Sequence, residues 1–89
     1  MFTVYVLYSS IHDKIYIGYT SNLIQRIWNH NFGKDKSFTK NFRPWVVIYC
    51  EYFEIKSEAM KREKELKSSQ GRKFIREVQI NLMKNLNFI

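Results

Sequence analysis

The sequence predicts a small α/β fold of the α+β kind: a three-stranded sheet flanked by helices, in the order β-β-α-β-α-α. Three observations predict it. Two short runs rich in Val, Ile and Tyr, Phe2–Ser9 and Lys14–Thr20, are separated by Ser10-Ile11-His12-Asp13, which reads as turn chemistry. β-branched and aromatic residues suit a pleated, half-buried surface, and two such runs across a short polar gap read as a hairpin. A third apolar run, Trp45–Phe53, supplies another strand, and segments with helical spacing lie before and after it.

The hairpin comes first. Side chains alternate with period two, so Tyr5 and Tyr16 share a face only if the loop holds an even number of residues. A loop of two or four fits. Gly18 is a lone glycine inside a strand pattern, which signals either a bulge or a close backbone approach. Asn22, followed three residues later by Gln25, resembles a capping box that opens the first helix, which runs to about Asn31. Leu23, Ile24, Ile27 and Trp28 fall at helical spacing as its buried stripe. Arg26 and His30, four apart, share a different face. Gly33 is the helix stop. Residues 32–44 form a loop with four cations and three aromatics, pinned to the core by Phe38 and Phe42. The strand Trp45–Phe53 begins almost continuously apolar, the mark of a central strand. The second helix runs from Lys56 or Ser57 to Lys67, with Ser57 as N-cap and Glu58 in the first turn, where the helix dipole favours it. Ala59, Met60 and Leu66 form a thin inner face. Ser68-Ser69-Gln70-Gly71 interrupts, and a third helix follows from Arg72 to about Asn85. Its apolar stripe is Phe74, Ile75, Val78, Leu82 and Met83.

The 89 residues allow a single domain, 1–89, with one modest core. A formal net charge of +7 points to an anionic partner, nucleic acid first and membrane surface second; solubility alone is the alternative. The cations of the 32–44 loop, Lys34, Lys36, Lys40 and Arg43, interleave with aromatics, a composition suited to a phosphate backbone carrying stackable bases. Cys50 is the one cysteine, so no internal disulfide and no thiol–imidazole metal set can form. It is expected to pack as a small core hydrophobe in a reducing, cytoplasmic setting. Neither a signal peptide nor an apolar run of membrane-spanning length is visible.

The residues that carry chemistry then fall into a known order. Val4-Tyr5, Tyr16-Ile17-Gly18, Arg26, His30 and a glutamate on a later helix resemble the GIY-YIG endonuclease domain, and in particular the small stand-alone bacterial GIY-YIG proteins. That family's Tyr-Ile-Gly-x-Thr, Arg-x-x-x-His, Gly-Lys, Arg-Pro and Glu-Ala-x-x-x-Glu elements occur as Tyr16–Thr20, Arg26–His30, Gly33-Lys34, Arg43-Pro44 and Glu58–Glu63. The resemblance spans Phe2 to Leu82. Two departures stand out. The first tripeptide is Thr3-Val4-Tyr5, which keeps only the functional tyrosine. The tail lacks the Asn-Pro-x-Trp often found in the family, and Asn81, Asn85 and Asn87 are the candidates for its asparagine.

The resemblance implies a metal-dependent endonuclease acting on structured or damaged DNA. Phosphodiester hydrolysis needs an activated water, a counter-charge for the pentavalent phosphate and help for the leaving oxygen. Glu63, at the family's acidic position, is the implied ligand of one Mg²⁺ (or Mn²⁺), a cation that keeps several waters and takes further oxygens from substrate phosphate. Arg26 would hold the phosphate through its planar fork. Tyrosine is a poor base at its usual pKa of about 10; Arg26 and a metal-bound water are expected to lower Tyr5 enough for the general-base role that the family gives it. Tyr16 would position water or phosphate, and His30 would accept or relay a proton. Taken singly, each residue also has an ordinary structural explanation, such as a Glu63–Lys67 surface pair. The competing functions are a non-catalytic nucleic-acid-binding module on the same basic face, and an adaptor whose tail, Leu86–Ile89, docks a larger repair or recombination protein.

Overall fold

The computed structural model describes residues 1–34 and 38–89. Strands β1 (Phe2–Ser9) and β2 (Lys14–Thr20) form the expected hairpin. Ser9 pairs with Lys14, so the loop holds the four residues Ser10 to Asp13. Asp13 takes a positive φ of 51°, a turn conformation that aspartate tolerates. The loop is tied down from two sides. Asp13 Oδ1 accepts from the Tyr8 hydroxyl at 2.9 Å and from Arg76 at 3.1 Å. Helix α1 (Leu23–Phe32) follows, then a 3₁₀ turn (Phe38–Phe42), strand β3 (Val46–Phe53) and helix α2 (Lys56–Lys67). A final helical rod comprises α3 (Ser69–Phe74), a π-helical stretch (Ile75–Ile80) and α4 (Asn81–Asn85).

The strand order is β2-β1-β3, both pairings antiparallel, so β1 is the centre and β3 an edge. This corrects the reading of β3 as the central strand. Its apolar run reflects coverage on both faces, not strands on both sides. Ile48, Tyr49 and Phe53 belong to one core, and Val47 and Cys50 pack on the other. A register shift between Val6 and Leu7 marks the β1–β3 pairing as irregular there; the β1–β2 register runs through Gly18 unbroken.

The sheet thus carries two cores. On one face Val4, Val6, Ile15, Ile17 and Ile48 meet Ala59, Leu66, Ile75 and Ile80 of the later helices. On the other, Tyr5, Leu7 and Trp45 are buried beneath Tyr16, Leu23, Ile27 and Phe42. Phe42 anchors the 3₁₀ turn there; Phe38 is half-exposed and stacks on Phe42, with ring centroids 4.7 Å apart. The helix details differ from expectation in five places, the first being Met60, which is exposed and leaves Ala59 and Leu66 as the buried residues of α2. Ile24 and Trp28 are exposed, not buried, because α1 turns Leu23, Ile27 and His30 toward the sheet. The N-cap of α2 is Ile55, without a side-chain cap, and Ser57 lies inside the helix. The last rod starts at Ser69, capped by Ser68 accepting from Gly71 N–H. Val78 and Leu82 of its expected stripe are about half exposed, and Ile80 is buried instead. Gly71 is needed at the junction with α2, since a Cβ there would stand 2.4 Å from the carbonyl oxygens of Glu65 and Leu66.

Arg43 is the largest departure. It was expected on phosphate. Its guanidinium instead closes the C-terminus of α1, donating from Nε to His30 O at 2.6 Å and from Nη2 to Gly33 O at 2.6 Å and Asn29 O at 3.2 Å. The last carbonyls of a helix have no intrahelical donor and carry the negative end of its dipole, so a cation is well placed there. This placement yields a prediction. Hydrogen bonds from a charged group contribute about 1.5–3 kcal/mol, so Arg43→Gln should lower the thermal midpoint by several degrees. The slope of nucleic-acid affinity against salt should not move. A flatter slope with an unchanged midpoint would return Arg43 to the phosphate-binding set.

Candidate active site

The hairpin register puts Tyr5 opposite Gly18 and Tyr16 opposite Leu7, so both phenols project from the same sheet face. Gly18 resolves as the close approach: a Cβ there would lie 2.7 Å from the Tyr5 hydroxyl and 2.8 Å from its ring carbon Cζ. The Tyr5 ring is fully buried, packed over this bare backbone. Its hydroxyl lies 2.9 Å from His30 Nε2, and His30 Nδ1 lies 3.0 Å from Thr39 Oγ1. Tyr16 completes the cluster, its ring centroid 4.8 Å from His30 and 6.3 Å from Tyr5. His30 and Thr39 are both buried. Trp45 fixes the 3₁₀ turn by donating its indole N–H to Thr39 O at 2.8 Å. Thr20 sets the passage from β2 into α1, its Oγ1 accepting from Asn22 N–H at 3.0 Å; Asn22 Oδ1 in turn caps Gln25 N–H.

Arg26 projects from α1 and Glu63 from α2. Both line a cavity of about 410 Å³ whose walls also include Tyr5, Tyr16, Gly18 and Lys56. Four elements therefore bring Tyr5, Tyr16, Arg26 and Glu63 to one concave surface. A neighbouring cavity of about 520 Å³ shares Tyr16, Thr20, Ser21 and Arg26 with it and continues past His30 to Lys34. The two form one groove along α1. Glu63 reaches it because Ala59, Glu63 and Leu66 fall at i, i+4 and i+7, one face of α2. A carboxylate between two buried apolar residues is a signal the sequence does carry. Its side chain is 17 % exposed and pairs with Lys67 at 3.3 Å.

The predicted site residues divide as follows. Tyr5, Tyr16, Arg26, His30 and Glu63 come together at the groove. Lys34 lines its far end. Lys40 is exposed on the 3₁₀ turn, outside both cavity walls. Lys36 lies outside the described residues. Lys56 and Thr39 escaped the sequence reading. Lys56 sits in a helix already rich in cations, and Thr39 sits in a loop with no periodicity to assign it an inward side.

Among the chain's own groups, the balance at Tyr5 runs opposite to the expected direction. Burial pushes its phenol well above the usual tyrosine range. Tyr16 and Glu63 push the same way, and the opposing pull of Arg26 is outweighed. Burial wins because it disfavours the phenolate directly, whereas Arg26 is exposed and its charge is shared with solvent. Tyr5 thus holds its proton and meets His30 as a phenol. As for a cation, no group of three or more His, Cys, Asp or Glu among the described residues could hold a metal. The groove offers one carboxylate, Glu63, in walls that also include Tyr5 and Tyr16. That donor set fits a hard, mostly hydrated ion such as Mg²⁺ or Mn²⁺ and not one that needs a full protein cage.

A two-sided α+β domain with this tyrosine, arginine and glutamate groove has close counterparts. Residues 1–76 match the GIY-YIG catalytic domain. The chain belongs to that family, a family of nuclease domains. It is 50% identical over 56 residues to a UPF0213 protein of Staphylococcus haemolyticus, covering 63% of this chain and 68% of that one. It is 38% identical over 73 residues to a UPF0213 protein of Staphylococcus aureus, covering 82% and 88%. The solution NMR structure of a UPF0213 protein from Bacillus halodurans superposes with a TM-score of 0.53 at 29% identity, over 89% of this chain and 86% of that one. Among the described residues, no helix is long and apolar enough to cross a membrane.

Proposed function

We propose that this protein is a metal-dependent endonuclease that hydrolyses phosphodiester bonds in structured or damaged DNA. One observation carries the reading: Tyr5, Tyr16, Arg26 and Glu63, from four different elements, line one cavity. Binding alone would gain nothing from a carboxylate in a cationic groove, because it repels phosphate. With DNA as substrate, the cytoplasm is the compartment this reading implies.

In this mechanism Arg26 grips the phosphate and meets the charge that develops on it. Tyr16 orients the phosphate or the attacking water. Tyr5 is a tightly held phenol, so it acts through its neighbour: as the water gives a proton to the Tyr5 oxygen, Tyr5 passes its own proton to His30 Nε2. This needs His30 protonated on Nδ1, the tautomer in which it donates to Thr39. Glu63 would hold one Mg²⁺ or Mn²⁺, which supplies charge for the phosphate oxygens and polarises a bound water. The test is a cleavage assay over duplex, flap, junction and RNA substrates with Mg²⁺, Mn²⁺ or EDTA. The expected result is metal-dependent nicking of at least one branched DNA. Binding to these substrates without cleavage of any would leave a nucleic-acid-binding module in place of the nuclease.

A further inference from the structure

Helix α1 carries an apolar stripe that faces away from the core. Ile24, Trp28 and Phe32, at i, i+4 and i+8, are 82 %, 55 % and 68 % exposed. The Trp28 and Phe32 rings lie against each other with centroids 5.8 Å apart. Three large apolar side chains in a row on one exposed helix face are costly to leave in water and mark a contact surface. Ile24 and Trp28 line a hollow of about 540 Å³, and its other two walls are Asn22 and Gln25. Those same two residues line the groove that holds Arg26, His30 and Lys34. The apolar hollow and the cationic groove are therefore neighbours on one helix, divided by a polar ridge.

We propose that this stripe is a stacking platform for unpaired nucleobases, placed so that a strand whose phosphates run in the Arg26–Lys34 groove lays its bases on Trp28 and Phe32. The inference rests on the nucleic-acid reading above and narrows its substrate class to strands with exposed bases, such as flaps, gaps and single-stranded ends. Charge argues for this occupant. A strand is the ligand that presents anionic phosphates and flat apolar rings side by side. Arg26 and Lys34 supply the first complement, and two aromatic rings the second. In duplex DNA the base faces are already stacked, so the platform has nothing to take up.

The test is a binding titration with three probes of equal length: oligothymidylate, the same strand made abasic, and a paired duplex. It is read by anisotropy and by quenching of tryptophan fluorescence. Trp45 is buried, so Trp28 is the indole that a base can reach. Oligothymidylate should quench the emission and bind several-fold more tightly than the abasic strand. Stacking on an aromatic is worth about 1–3 kcal/mol per base, so Trp28→Ala should weaken oligothymidylate roughly 5- to 150-fold, with duplex and abasic affinity unchanged. Trp28→Phe should restore most of the loss, and Phe32→Ala provides an independent second variant. Both Trp28 and Phe32 are exposed, so circular dichroism should show folded proteins with near wild-type midpoints. If wild type binds duplex and abasic strands but prefers neither bases nor Trp28, the platform is refuted and the nuclease reading stands. If wild type binds none of the probes, both fail. A dimer by sedimentation velocity that Trp28→Ala dissociates would make a second copy the occupant and overturn the proposal.

Discussion

Replacing Glu63 by glutamine should cut metal-dependent cleavage by orders of magnitude while leaving the protein folded. Glu63 sits mid-helix among Lys61, Arg62, Lys64 and Lys67, and its carboxylate pairs with Lys67. If that pair were its whole purpose, the substitution would cost little, because exposed helical pairs contribute about 0.3–0.5 kcal/mol. The amide keeps the shape and hydrogen-bonding reach of the side chain but removes the charge that attracts a cation. The thermal midpoint should therefore move by no more than a few degrees. Nucleic-acid affinity should hold or rise slightly, as a negative charge leaves a cationic groove. Cleavage should fall by about 10²–10³-fold, the scale for losing a single electrostatic contributor to a transition state. The measurement pairs the midpoint with the cleavage rate on a substrate that wild type cuts. A mutant that cuts at the wild-type rate would remove Glu63 from the mechanism and return it to the surface pair.

The sequence made the hairpin legible because it is a local device. Strand alternation fixes which side chains share a face, and an even loop then puts Tyr5 and Tyr16 together. Arg26, His30 and Glu63 were legible through their motifs, and Glu63 also through its place on the inner face of α2. What the sequence hid depended on long-range partners. The apolar run of β3 gave no hint that its outer edge is open. Ile24 and Trp28 match a buried stripe in spacing, and only the seat of α1 on the sheet decides which apolar side faces inward. Arg43 looked like one more cation in a basic loop, because carbonyls at a helix end leave no mark in the sequence. Tyr5 was expected to ionise more easily because its charged neighbour could be guessed, whereas its complete burial could not. The same distinction explains Thr39, whose role depends on His30 arriving from another element.

Gly18→Ala should damage both the fold and the reaction, and the damage should run through Tyr5. The added Cβ would meet the Tyr5 hydroxyl at 2.7 Å and Cζ at 2.8 Å, with Tyr16 Cε1 at 3.2 Å. The first two are closer than real Cβ atoms come. Neither neighbour can give easily: Tyr5 is fully buried and hydrogen-bonded to His30, and Gly18 is held within the β1–β2 ladder opposite Tyr5. Forcing a methyl group into a packed core costs about 1–3 kcal/mol, and each kcal/mol is worth roughly 4–8 °C in a domain of this size. Displacing the phenol by even about 1 Å should lower cleavage around 10²-fold. A double-mutant cycle with Tyr5→Phe separates this clash from a general weakening of β2. Phenylalanine removes the hydroxyl contact and keeps the ring carbon contact, so the double mutant should be less unstable than the sum of the single mutants. It should stay inactive, because His30 then has no phenol to accept from. Strict additivity of the two midpoint losses would show that alanine at 18 acts on the strand and not on Tyr5. A Gly18→Ala protein with wild-type stability and cleavage would mean that the Tyr5 ring does not rest on this backbone.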